Sequence, residues 1–370
     1  MKILQILPEL NSGGVERGTL EVAEFLIKNG HEALVVSNGG RQVNTLQKMG
    51  GRHITMPVHK KSLSSLFQVK AFRKLLEAEK PDILHIRSRI PGWIAWLAWR
   101  KMNPATRPSF ISTVHGFYSV NPYSAIMTKG ERVIAVSESI RKYILKSFPK
   151  VSDDKITVIH RGVSLSDFAR DFSPDEEWMK LWRKEYPSLE GKIILLLPGR
   201  LTRWKGQEDF IRMISRLKGD GLNICGLIVG ETHSKKSKFA SELKALVRDL
   251  HLEQDIIFIP HRSDIKEIMA ISDIVYSLSN CPEAFGRISL EAMALGRPVI
   301  AYQHGGVEEQ LSAAFPQGLV PIGDIALATD CTRKILNQQL KPNIPVDFTL
   351  EKMLTATLET YQNIIRKPFK

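Results

Sequence analysis

Two carboxylates stand eight positions apart in Cys281-Pro-Glu-Ala-Phe-Gly-Arg-Ile-Ser-Leu-Glu291: Glu283 on a loop after an apolar run, and Glu291 one or two turns into a helical pattern over Ile288–Leu295. At similar height beside a sheet edge, such a pair accepts hydrogen bonds from hydroxyls on two parts of one ligand. Carboxylates among apolar neighbours such as Phe285 and Leu290 need partners of this kind. The plain alternatives are a solvent-facing Glu and a capping role for Glu283. Upstream, Gly199-Arg200 and Lys205-Gly206 put two cations in one strand-to-helix connection, where they neutralise a diphosphate at a helix start without a metal. Ordinary surface solvation is the alternative for Arg203 and Lys205. Gly305-Gly306-Val307-Glu308-Glu309 follows another apolar run and offers backbone amides to phosphate or sugar. Near the start, Gly13-Gly14 lets backbone approach a ligand just before a helix carrying Glu16 and Arg17, or else forms a simple turn. His115-Gly116 ends the run FISTV, where a histidine donates to a hydroxyl or carbonyl, or serves only structure. His85 also ends an apolar run, without a glycine to open space beside it.

These residues need a scaffold that brings strand ends together. Short aliphatic runs (KILQIL, EALVVS, DILHI, FISTV, RVIAVS) alternate with helical patterns near 15–29, 66–79 and 93–100. The alternation resumes after residue 190 with IILLLPG, ICGLIVG, IIFIP, DIVYSL and PVIAY, separated by helices near 207–217, 240–250, 264–270 and 288–295. This is the pattern of an α/β chain with parallel sheets covered on both faces, in two Rossmann-like halves. In open sheets of this kind, ligands lie at the carboxyl ends of the strands. The polar, acidic stretch Arg161–Glu190, broken by Pro174 and Pro187, reads as a linker and hinge. Glu351–Ile365 is helical in pattern, with no strand after it.

Composition narrows the class. The 370 residues suffice for two domains, and 43% hydrophobic with 25% charged residues suits a soluble globular chain. The first residues read as a strand rather than a secretory signal, and Ile90–Trp99 is about half of a bilayer span. Three cysteines in no metal or redox spacing point to a cytoplasmic protein. The absence of G-x-G-x-x-G disfavours a nicotinamide or flavin dehydrogenase. The net charge of +13 is uneven: residues 1–170 hold 26 Lys+Arg against 13 Asp+Glu, and residues 171–370 hold 26 against 26. Residues 83–130 have no acidic side chain but contain Arg87, Arg89, Arg100, Lys101, Arg107 and Lys129 with Trp93, Trp96 and Trp99. Such a field favours anionic lipid, a phosphorylated acceptor or nucleic acid. Arg87 and Arg89 are assigned to its acceptor or membrane side.

Taken in order, Gly13-Gly14, His115 in T-V-H-G, the G-R-x4-K-G of Gly199–Gly206, the E-x7-E pair and the G-G-x-x-E of Gly305–Glu309 resemble the retaining glycosyltransferases of family 4. The resemblance runs along nearly the whole chain. It implies the GT-B architecture: an acceptor domain over 1–165, a nucleotide-sugar domain over 166–350, a cleft between them, and a last helix (351–370) crossing back to the first domain. It further implies that Arg200 and Lys205 bind the donor diphosphate with Gly14 close by, and that Glu291 holds the ribose while Arg262 touches the base. Glu283 would bind the transferred sugar, and His115 would contact that sugar and stabilise the transition state. Gly286, Gly305, Gly306 and Glu309 would form the loop around donor sugar and phosphate. Family members often carry Pro where this chain has Glu308.

The expected protein is therefore a retaining hexosyltransferase that takes a nucleotide-sugar, with UDP favoured, to an anionic lipid-linked or lipopolysaccharide-type saccharide. It would work in the cytoplasm, on the inner membrane face. No D-x-D occurs, consistent with no metal and no cofactor. The two glutamates are not read as a hydrolase pair, which requires a defined separation across a glycosidic bond. A GT-B-like sugar-nucleotide epimerase shares the phosphate site. A basic nucleic-acid-binding protein fits the charge, but no nucleic-acid module is present and no nucleic-acid partner is expected. A non-catalytic sugar-nucleotide binder remains a further alternative.

Overall fold

Aliphatic runs bounded by polar breaks become parallel strands because, flanked by helices on both faces, they have no polar side to show. The computed structural model describes residues 1–11, 13–60, 67–231 and 237–366. The chain divides into two units, Met1–His160 together with the chain from Glu351, and Arg161–Leu350.

In the first unit the order is β1 (Lys2–Ile6), α1 (Gly14–Lys28), β2 (Glu32–Ser37), α2 (Val43–Lys48), β3 (Arg52–Thr55), α3 (Phe67–Glu79), β4 (Ile83–Ile86), α4 (Arg89–Trp99), β5 (Ser109–Val114), β6 (Arg132–Ala135), α5 (Glu138–Ser147) and β7 (Ile156–Val158). The expected start of α3 at Leu66 lies outside the described residues. The seven strands pair in parallel in the order β3-β2-β1-β4-β5-β6-β7, with Leu4 level with Leu34 on one side and Leu84 on the other. Ile3, Leu4, Leu34, Val35, Leu84 and Ile111 are fully buried. Each such side chain contributes about 1.5–3 kcal/mol over leaving it in water.

The second unit runs α6 (Glu176–Glu185), β8 (Ile193–Pro198), α7 (Gln207–Gly219), β9 (Ile224–Val229), α8 (Ser237–Asp249), β10 (Ile256–Ile259), α9 (Ile265–Ile271), β11 (Ile274–Ser277), α10 (Arg287–Ala294), β12 (Val299–Tyr302), α11 (Gly305–Ala314), β13 (Leu319–Val320) and α12 (Ile325–Gln338). Its six strands are ordered β10-β9-β8-β11-β12-β13. Both sheets therefore reverse strand order once, between β1 and β4 and between β8 and β11. Those switch points are where open α/β sheets leave a crevice beyond the strand ends.

The stretch read as a linker folds into the second unit. Gly162 lies against Thr349, where a Cβ would come within 2.3 Å of the carbonyl oxygen, and Val163 is buried in the second core. The division thus falls after His160, five residues before the expected boundary. Asp175 caps α6 by accepting from Trp178 N, and Trp182 is buried in a stack with Trp178 and Tyr186. The acidic surface of this segment conceals an aromatic stripe, which is why it reads as linker.

The last helix, α13 (Leu350–Arg366), belongs to the first unit. Its Tyr361 hydroxyl is 2.7 Å from Nδ1 of buried His85, whose Nε2 is 2.7 Å from Thr113 Oγ1. His85 thus anchors a helix.

Candidate functional site

At the second switch point, the loop after β8 meets the loop after β11. Gly206 ends the first loop at φ +75, and a Cβ there would lie 2.0 Å from the Leu278 carbonyl oxygen. Only glycine allows this approach. Asn280 N donates to Trp204 O at 2.9 Å, and Gln207 Nε2 donates to Arg200 O at 3.0 Å, so each loop is tied to a neighbour. The result brings Lys205 Nζ to 2.7 Å from Glu283 Oε1, with both side chains 19% exposed. Ser279 Oγ donates to the same carboxylate oxygen. Arg200 is exposed and forms no ion pair among the described residues.

The third loop, after β12, closes on the second. Gly305, at φ +64, leaves no room for a Cβ, which would sit 2.5 Å from Glu283 O. Gly306 N donates to that oxygen at 2.9 Å. His304 Nε2 donates to Ser279 O at 2.6 Å. Gly286 caps α10 in the left-handed region, and one turn on Glu291 is 5% exposed with Arg287 Nε at 3.7 Å. Glu309 lies in α11 on the same loop-helix connection, and Glu308 accepts from Gln303 Nε2 at 3.1 Å. Lys205, Glu283, Gly286, Gly305 and Gly306 are therefore brought together by hydrogen bonds and close packing. Ser279 and His304 were not singled out in the sequence. Their signal was position alone, since each follows a strand at the same edge.

Arg262 does not join this group. Its guanidinium pairs with Asp264 and with Glu185 of α6 and lies 5.5 Å from the Trp182 ring centre. Asp264 is held down to about 2 by the Arg262 guanidinium. Arg262 lines a cavity of about 450 Å³ with Trp178, Trp182 and Glu185, while its chain neighbours Pro260 and His261 line a separate one of about 490 Å³ with Leu201, Gly230, Glu231 and Phe258. That cavity is large enough for a planar heterocycle and ribose.

The first switch point carries Gly14 at the start of α1, Arg87 after β4, and His115 after β5. His115 is half-buried, and its backbone N donates to Tyr118 Oη at 3.1 Å. Arg87 is 2% exposed, with Nη1 donating to Gln5 Oε1 at 3.0 Å, and burial lowers its pKa. Buried there, it presents no charge to a membrane, which leaves the acceptor side of the role expected for it. Arg89 lies over the Tyr118 and Tyr123 rings, at 4.8 and 5.4 Å. The acid-free stretch is therefore not one basic face. Arg100, Lys101 and Arg107 precede β5 and Lys129 precedes β6, at the opposite edge of the sheet from His115. The tryptophans are largely structural: Trp99 Nε1 donates to Pro108 O and Trp93 Nε1 to Tyr123 O, while Trp96 lies between Arg100 and Lys129.

Chemically, the second unit's edge presents an open cation, a paired cation, a helix start and two carboxylates, a set suited to a phosphorylated polyol. Residues 12–167 match the family Glycosyltransferase Family 4, and residues 179–348 match Glycosyl transferases group 1. This chain belongs to those glycosyltransferases. A glycosyltransferase from Rickettsia africae ESF-5 is 34% identical, with 98% of each chain covered and a TM-score of 0.85. Anabaena HepE in complex with UDP and glucose superposes with a TM-score of 0.81 at 20% identity, covering 98% of this chain and 100% of that one. The N-acetyl-alpha-D-glucosaminyl L-malate synthase of Bacillus anthracis is 25% identical over 97% of this chain and 96% of its own. The glycosyltransferase thus has two Rossmann-like units of the GT-B class, and its motif residues sit at the carboxyl ends of both sheets. Among the described residues of the glycosyltransferase, no helix is long and apolar enough to cross a membrane, and no cluster of three or more His, Cys, Asp or Glu suits a metal.

Proposed function

We propose that this glycosyltransferase moves a hexose from a UDP-sugar to an anionic, lipid-linked saccharide of the lipopolysaccharide type, with retention and without a metal, at the cytoplasmic face of the membrane. The observation that carries the donor half is the convergence of Lys205, Glu283 and the Gly305-Gly306 turn at the second switch point. The UDP in the HepE complex favours the base. In this reading Lys205 and Arg200 stabilise the charge that develops on the departing diphosphate, an interaction stronger in the transition state than in the ground state. Glu291 takes ribose hydroxyls, the cavity beside His261 takes the base, and Glu283 takes a sugar hydroxyl. In the same reading His115 contacts the transferred sugar and stabilises the transition state, and Gly14 lies close to the donor diphosphate. Retention would follow from attack on the face the leaving group vacates, with the diphosphate oxygen accepting the acceptor proton.

The acceptor half rests on charge. Arg100, Lys101, Arg107 and Lys129 form no ion pair among the described residues, and a cluster of this kind suits anionic lipid. The Bacillus relative carries an anion, L-malate, in its name, in keeping with an anionic acceptor.

A panel of UDP-, GDP- and ADP-sugars, assayed with and without lipid-linked saccharide, tests the reading. Transfer should need both substrates, and Lys205→Ala or Glu291→Ala should lower it at least 100-fold with the melting temperature unchanged. Unchanged turnover in either variant defeats the donor assignment. Donor conversion without any acceptor would favour an epimerase.

A further inference from the structure

We propose that Glu283 is an internal counter-ion for Lys205, and that a nucleoside diphosphate enters and leaves this site by exchanging with it. The inference rests on the donor-site reading above. Lys205 and Glu283 come from opposite sides of the switch point, from the loops after β8 and β11, yet they pair at 2.7 Å with each side chain four-fifths covered. An ion pair this well covered is harder to break than one at an open surface, where screening and entropy leave little net attraction.

The carboxylate is held independently of the lysine. Ser279 Oγ donates to Glu283 Oε1, His304 Nε2 fixes the Ser279 carbonyl at 2.6 Å, and Gly306 N fixes the Glu283 carbonyl at 2.9 Å. Glu283 therefore keeps its place when Lys205 turns away. The Lys205 stem passes Gly199, which carries no side chain to fill the space beside it, and its ammonium lies 4.6 Å from the Trp204 ring centre. Arg200, exposed and outside every ion pair among the described residues, meets an incoming diphosphate first. Lys205 then trades one anion for another.

The chemistry gives the exchange a purpose. When the bond from the sugar carbon to the phosphate oxygen breaks, its electron pair stays on that oxygen, which takes the acceptor's proton; once that proton passes to solvent, the product diphosphate carries one more negative charge than the donor did. Two unpaired cations would hold the product more tightly than the substrate and slow its release. A carboxylate waiting within reach of one cation offsets that preference and speeds release.

Calorimetric titration of the full chain with UDP and with inorganic pyrophosphate tests this, using wild type, Glu283→Gln, Glu283→Asp and Lys205→Ala. Glu283→Gln should bind both probes roughly tenfold more tightly, which corresponds to about 1.4 kcal/mol. Glu283→Asp keeps the charge but shortens the reach, and should also tighten, roughly threefold. Lys205→Ala should bind weakly, and adding Glu283→Gln to it should restore nothing. Unchanged or weaker binding by Glu283→Gln, with Lys205→Ala still impaired, overturns the exchange and leaves the donor site standing. Tightening by Glu283→Gln alone, without Glu283→Asp, also overturns it, because net charge rather than the pair would then be at work. Wild-type affinity in Lys205→Ala, or no binding of either probe by wild type, overturns the donor-site reading itself.

Discussion

Glu16 shows how a single side chain is tuned by its place in the fold. It lies in the first turn of α1, with its carboxylate folded over Gly13 so that Oε2 is 2.5 Å from where a Cβ would be. Burial raises its pKa above the ordinary Glu value; its backbone hydrogen bond opposes the shift, Glu9 adds to it, and Arg87 opposes it. Since the folded-state pKa is the higher one, the stability linked to this group is present below the ordinary Glu range and is lost as pH rises through the folded value. Glu16→Gln removes that loss. Its melting temperature should exceed that of the wild type by about 1–2 °C at pH 7.5 and match it near pH 4. Equal or lower stability at pH 7.5 would contradict the assignment. At this scale, residue types were readable from the sequence but surroundings were not. Arg87 and Arg89 are written two positions apart, yet one is buried against Gln5 and the other lies over two tyrosine rings.

At the level of elements, the strand-to-helix connections do the positioning, and their glycines are the points where they are closest packed. Gly206 combines φ +75 with a clash distance of 2.0 Å to Leu278 O. A Cβ there must push the loop carrying Lys205 away from β11. Gly206→Ala should cost about 2 kcal/mol or more in stability, and the displaced Lys205 should weaken pyrophosphate binding in parallel. Thermal melting and calorimetry check both, and a variant as stable as wild type would show that the loops are not locked together. Most strands were legible because their apolar runs are continuous, as were the helices between them, but β3, α5, α11 and the 14-residue α12 were not read from the sequence. β7 is three residues long and β13 two, too short for a pattern, and they form because a neighbouring strand edge is waiting. Helix α6 was missed because its exposed side mixes acidic and basic residues, while its inner side holds only Trp178 and Trp182 in a segment bounded by Pro174 and Pro187.

For the whole molecule, charge is the property that only geometry could sort. The excess cations of the first half include four, Arg100, Lys101, Arg107 and Lys129, that gather at the strand-start edge of its sheet, with Arg107 3.6 Å from the Trp99 ring centre. A surface of this kind should bind anionic vesicles and ignore neutral ones. Flotation with phosphatidylserine-containing vesicles should recover the wild type, and reversing Arg100 and Lys101 to Glu should lower recovery by roughly tenfold. Equal recovery on neutral vesicles would remove the membrane from the proposal.

Residue types and their order along the chain already specify the class of the molecule: two parallel α/β halves, a family-wide order of motifs, and the identity of the cations and carboxylates. They do so because burial on both faces writes continuous apolar runs, and because glycine and charged residues at strand ends have few other uses. The tertiary structure decided which of them meet. Lys205 and Glu283, 78 positions apart, pair across a switch point that exists only once β8 and β11 lie side by side. The same folding turned Arg262 toward α6 and gave the neighbouring cavity to Pro260 and His261. Chain position sets which strand end a residue occupies, while its partners come from loops distant in sequence. Their contacts are fixed by packing that no local pattern encodes.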